Sequence, residues 1–233
     1  MLWYKSWLET QYRLYFTLGL VVFWMVVFYS MRGIARPPGA NPVSAFAFIA
    51  TTQILVISTW LAGAGIATQP AFQEMKGLFG STQYTLSLPV SRLRLLAVRS
   101  GIGWLEMTAT IGAFCWGAWL VVPVVRGSAT AAEMLEYITV IAVCSSSLYF
   151  FFVLLATFLD ELARMKAGMI AFGALWLLSS FLPLPASVDI FRAMGDGSPL
   201  VAHKMPWAAM VFSLALAVIL FYAALKIVQR REY

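Results

Sequence analysis

Few side chains in this sequence are of the kinds that catalyse reactions or hold metals. Its 233 residues include one histidine, His203, and two cysteines, Cys115 and Cys144. His203 stands in a loop-like stretch with no cysteine or second histidine beside it to share a metal ion. The two thiols fall inside apolar runs. They form neither a disulfide framework nor a zinc spacing and read as small core residues. Glu106 is the one acid well inside a long apolar run. A carboxylate facing lipid is costly, so such a residue is a functional candidate by default. Its place about two turns into the run suits pairing with Arg99 or Arg13, or hydration from the nearer surface. Asp160, Glu161, Arg164 and Lys166 form a mixed cluster that reads as a solvated, locally paired turn. No serine–histidine pair, paired carboxylates or Gly-x-Ser-x-Gly turn stands out, so no catalytic site and no metal site are expected. No G-x-x-x-x-G-K-[ST] loop occurs either, so this chain is not expected to hold nucleotide phosphates.

The denser chemistry is electrostatic. Arg92, Arg94 and Arg99 arrive together, after Pro89 and Ser91 and just before an apolar run. The elements around them follow from composition. The chain is 61% hydrophobic and 11% charged, with a formal net charge of +6. Soluble domains carry about 25% charged residues. So large an apolar surplus points to lipid as the solvent, and the positive balance is read as membrane topology rather than nucleic-acid binding. A bilayer core of about 30 Å needs about 20 apolar residues in a helix. Six stretches qualify: 14–31, 44–67, 101–125, 135–159, 167–182 and 207–228. Helix is the conformation that satisfies each backbone polar group within its own segment. The first run is longer than a signal-peptide core of about 7–15 residues and reads as a retained span. The expectation is therefore an all-α membrane protein, 1–233 forming a single transmembrane domain with six spans.

Orientation follows from the cations. With both termini in the cytoplasm, only Arg32, Arg36, Arg126, Arg192 and Lys204 lie outside. The remaining 11 of the 16 Lys and Arg lie inside, as the positive-inside rule favours. Within 1–13, Trp3, Tyr4, Trp7 and Leu8 accompany Lys5, Glu9 and Arg13. This composition suits an amphipathic helix lying on the inner membrane surface, with a frayed start to the first span as the alternative. The 184–206 loop alternates apolar residues with Asp189, Arg192, Asp196 and Lys204. It fits two short interfacial or re-entrant helices broken at 195–197, or an exposed loop.

The largest cytoplasmic piece is 69–100. Phe72, Met75, Leu78 and Phe79 have helical spacing. Gly80 and Ser81 break that helix, and Pro89 bars Leu88 from the α region. Ser91 can cap a new helix, accepting from an orphan N–H two or three residues on. The new helix carries Arg92, Arg94 and Arg99 into the third span. A short helix joined stiffly to a spanning helix suits a contact point for a cytoplasmic partner. A loop whose arginines set topology and touch anionic lipid fits the same residues.

The run GSTQYTLSLPVSR, 80–92, resembles the cytoplasmic loop of the type-two ATP-binding-cassette (ABC) permease family. Gly80, Leu86, Ser87, Leu88, Pro89, Val90, Ser91 and Arg92 match in place, as do Leu95, Leu96 and Arg99 after them. Ser81 stands where the family usually has Thr. Leu78 and Phe79 stand where it often has acids, with Glu74 further back. The likeness extends to the amphipathic start, the six spans, the semi-apolar fifth-to-sixth loop and the charged ending Gln229 to Tyr233. It implies the membrane half of an exporter, working as a homodimer or beside a similar permease. It also implies a separate ATPase chain that binds ATP and Mg²⁺ and grips a coupling helix at about 71–79. The contact residues would be Phe72, Glu74, Met75, Lys76, Phe79, Gly80, Ser81, Pro89, Ser91 and Arg92, with the interfacial helix (Trp3, Tyr4, Trp7) close by. The substrate would leave through the interface between halves. The expected location is a bacterial plasma membrane.

Candidate path residues are sparse. On the second span Ser44, Phe48, Thr52, Val56, Thr59 and Gly63 share a face of small and mildly polar groups, with Gln53 beside it. On the fifth, Trp176 and Ser179 offer a ring and a hydroxyl. The face suits a substrate path, and equally the close helix packing that small residues permit in lipid. The expected cargo is amphipathic or hydrophobic: a drug-like molecule, a lipid-linked species or a peptide. An ATP-independent channel or a membrane assembly factor is the alternative.

Overall fold

Apolar runs without proline leave the backbone one way to satisfy its own hydrogen bonds, and each long element is a helix. A computed structural model of the chain describes residues 2–31, 42–61, 91–159, 161–182 and 184–230. Its helices are α1 (Leu2–Met31), α2 (Pro42–Leu61), α3 (Arg92–Val121), α4 (Pro123–Ser128), α5 (Ala131–Ala156), α6 (Glu161–Phe181), α7 (Ile190–Met194), α8 (Pro199–Ala202) and α9 (Trp207–Arg230). No strand occurs among the described residues.

Among the described residues three helical segments are long and apolar enough to cross a membrane: Arg13–Ser30, Ala131–Ala156 and Trp207–Arg230. They suggest an integral membrane protein. Three is fewer than the six spans expected from sequence. In α2 the described apolar segment is Val43–Ser58, and the end of the expected 44–67 span lies outside the described residues. In α3, Arg99, Glu106 and several glycines and threonines dilute the hydropathy, as Arg164 and Lys166 do in α6.

Pairs of touching residues fix the helix directions. Trp3 lies against Gly101 and Met25 against Gly117, so α1 and α3 run the same way. The Ser58 hydroxyl donates to Met107 Sδ at 3.1 Å, while Phe46 stacks on Phe114. Hence α2 runs against α3. Trp104 Nε1 donates to Ser146 Oγ at 2.9 Å and Tyr149 Oη to the Ser100 carbonyl at 2.9 Å, which sets α5 against α3. The Ser213 and Cys144 levels coincide, as do those of Phe221 and Phe150, so α9 runs with α5. The starts of α1 and α3 and the ends of α2, α5 and α9 therefore share one end of the bundle.

Central α5 packs on α2, α3, α6, α7, α8 and α9. Its serines Ser145, Ser146 and Ser147 are all buried. Small side chains let neighbouring backbones approach where lipid provides no hydrophobic drive between helices. The Ser213 hydroxyl of α9 sits 2.8 Å from both the Cys144 carbonyl and Ser147 Oγ, a polar clasp between the two helices. Cys115 and Cys144 are buried and free. The start of α5 is held by a capping box. Thr130 Oγ1 accepts from the Glu133 amide at 3.2 Å, and the Glu133 carboxylate accepts from the Thr130 amide at 2.8 Å. The same carboxylate reaches His203 Nδ1 at 3.0 Å. We expect Thr130→Ala to cost about 1 kcal/mol of stability, read as a lower melting temperature in detergent.

Two expectations meet the structure differently. Residues 1–13 were expected as a separate interfacial helix, but α1 continues unbroken through Arg13 to Met31. The reason is plain: no proline interrupts 2–31, and Gly19 alone weakens it. Between α6 and α9 lie two short helices separated near 195–198, the first of the two forms that the glycines allow. Their residues Ile190, Met194 and Leu200 are buried.

Candidate functional site

The basic segment enters the described structure at Ser91. Its backbone is extended (φ −61, ψ 141), and its side chain accepts from the Arg94 amide at 3.3 Å. Ser91 is thus the N-cap of α3, and Arg92 is the first residue of that helix. The cap satisfies one of the orphan N–H groups that open every helix. From there α3 runs 30 residues without a break. At about 1.5 Å per residue this is about 45 Å. Arg92, Arg94 and Arg99 fall within its first eight residues. Phe72, Glu74, Met75, Lys76, Phe79, Gly80, Ser81 and Pro89 lie outside the described residues.

Around and beyond this basic start the fold buries charge. Arg13 of α1, Arg99 and Glu106 of α3 and Arg164 of α6 are all buried, Glu106 to 5% exposure and Arg164 to 0%. Each is engaged by a partner, as buried charge must be. Glu106 and Arg164 both act electrostatically on Tyr149 of α5. Tyr149 in turn donates to the Ser100 carbonyl. Gly103 makes that bond possible, because a Cβ there would collide with the Tyr149 hydroxyl. Charged and phenolic groups from α3, α5 and α6 therefore meet at one level, beside the basic turn of α3. The arrangement can hold helices in register and pass displacement between them. Among the described residues no group of three or more His, Cys, Asp and Glu could hold a metal ion.

This junction corrects the expectation for Arg164, which is buried rather than solvated, while Lys166 is exposed and Asp160 lies outside the described residues. The missed signal is Gly168, one turn further along α6. It has no room for a Cβ against the Phe152 ring, so α6 sits close on α5 and Arg164 is carried inward. Glu106 is buried to 5% exposure and has a partner.

The remaining candidates separate. Thr52 is exposed and bonded to the Phe48 carbonyl at 2.9 Å. The exposed Phe48 ring lies 6.4 Å from that of Trp176. Thr52 and Trp176 thus flank one apolar surface. Gln53 is buried on another side of α2. Ser179 points elsewhere and donates to Asp189 Oδ1 at 2.8 Å. Thr59 lies on α2, one residue beyond Ser58. The exposed rings of Trp3, Tyr4 and Trp7 border an open groove of about 520 Å³ with Ile102, Leu105 and Glu106.

No family model, curated protein or solved structure matches the chain.

Proposed function

We propose that this chain is the membrane-spanning subunit of an ABC exporter. One observation carries the reading. The sequence GSTQYTLSLPVSR leads into a helix that Ser91 caps, with Leu95, Leu96 and Arg99 following on that same helix. The resemblance of this run to the type-two ABC permease loop supplies the function. In this reading all six long helices cross the bilayer, and their alternating directions put both termini in the cytoplasm of a bacterial plasma membrane. Residues 71–79 form the coupling helix gripped by an ATPase on a separate chain, where ATP and Mg²⁺ reside. A push there reaches α3 through its capped start. The rigid helix and the Arg99–Tyr149–Arg164 level carry it to α5 and α6. A second copy of the permease completes the path, and the Thr52–Trp176 surface faces it. The cargo is amphipathic or hydrophobic, since the exposed faces are apolar with scattered hydroxyls.

Purification of the tagged chain from its own membranes in mild detergent tests this. A P-loop ATPase should remain bound in equal amount. Glu74→Lys and Gly80→Pro should abolish transport-linked ATP hydrolysis without loss of the protein from the membrane. An intact permease that never retains an ATPase would point instead to a channel or assembly factor. We further expect Ser91→Ala to fray the first turn of α3 at a cost of about 1 kcal/mol. Transport per ATP should then fall while insertion is kept, as measured in proteoliposomes.

A further inference from the structure

Helices α6 and α9 both pack on α5 but hardly on each other. The gap between them is a cavity of about 300 Å³, closed at one end by the segment leading into α7. This is the lower end of the range for small-molecule pockets. Its walls are apolar: Leu148 and Phe151 from α5, Leu178 from α6, and Phe212, Leu216 and Leu220 from α9. The last three recur every four residues and make one stripe along the helix.

Among the described residues one charged group lines this cavity. Asp189 is 4% exposed. Its Oδ1 accepts from the Ser179 hydroxyl at 2.8 Å and from the Arg192 amide at 2.9 Å. Among the described residues both bonds fall on Oδ1, and Oδ2 accepts none. The Arg192 side chain is exposed and forms no part of the wall. Ser179 spends its proton on Asp189. The Ser147 hydroxyl is engaged with the Cys144 carbonyl and Ser213. The cavity therefore offers an acceptor with negative charge at the end of a hydrocarbon-lined slot.

We propose that this slot binds a single-chain amphiphile bearing a protonated amine, its alkyl chain between α6 and α9 and its ammonium on Asp189. Moving an alkyl chain from lipid into an equally apolar slot gains little, so selectivity rests on the head. An ammonium–carboxylate hydrogen bond away from water is among the stronger polar contacts, and a fatty carboxylate would meet repulsion instead. The site is independent of the exporter reading and stands whether or not an ATPase binds.

The test measures binding of dodecylamine and dodecanoate to the whole chain in neutral detergent micelles by native mass spectrometry. Dodecylamine should bind once per chain, at least about tenfold more tightly than dodecanoate. Asp189→Asn keeps an Oδ1 acceptor for Ser179 and Arg192 and should erase that preference. Leu178→Trp, at a half-exposed wall position, should fill the slot and abolish dodecylamine binding. Equal binding of the two probes to the unaltered protein overturns the proposal without recourse to any variant. So does an unchanged amine preference in Asp189→Asn, or undiminished binding in Leu178→Trp.

Discussion

Gly168→Ala should lower the stability of the protein by about 1–3 kcal/mol, the usual cost of forcing extra volume into a packed contact. The added methyl group would collide with the Phe152 ring, itself buried in the core. Neither side has easy relief. Phe152 sits on central α5, and moving α6 outward would disturb the buried Arg164. Thermal unfolding in detergent, followed by tryptophan fluorescence, reads the effect. Shrinking the ring by Phe152→Leu should restore much of the loss in the double variant, because contacting sites are not additive. An unshifted melting temperature in Gly168→Ala would mean that α6 does not sit this close.

Arg164→Met should cost still more, about 3–5 kcal/mol, as for removing one member of a buried charge pair. Methionine keeps the bulk of the stem but leaves the opposing polar groups uncompensated in a site closed to water. Glu106 is the acid placed to feel this, since both it and Arg164 act on Tyr149. Adding Glu106→Gln to Arg164→Met should therefore recover a measurable part of the loss. A cost below about 1 kcal/mol for Arg164→Met would show that the guanidinium is hydrated and that the junction does not hold α6.

Local rules were the readable part of this sequence. Ser91 before a basic, apolar run announces an N-cap, and the glycines at 195 and 197 announce a break between short helices; the backbone obeys both. Apolar length announced helices, because a long run without proline in lipid has no other conformation. The place of Glu106 inside an apolar run was readable, but the burial of Arg164 was not. Arg164 looks like a turn residue beside Asp160 and Glu161, and only the Gly168–Phe152 contact, formed between two helices, carries it inward. Arg13 looked like the polar side of a surface helix. Yet α1 does not stop there, and packing against α3 buries it. Ser179 looked like a path hydroxyl, and its partner Asp189 is distant in pattern though ten residues away in chain. Each miss is a meeting of two elements, and periodicity within one element contains no information about it.

The placing of arginines within the bundle also gives the molecule an electrical sense. Arg13, Arg99 and Arg164 are held near the end where α1 and α3 begin, and the opposite end carries Asp189 beside the α6–α9 cavity. Across an energised membrane, each elementary charge carried through the full voltage changes the free energy by about 2.3 kcal/mol per 100 mV. Three cations fixed by packing cannot relax that difference by swinging aside. With both termini in the cytoplasm, as proposed above, these arginines sit on the negative side of the voltage, and an upside-down copy would hold them against it.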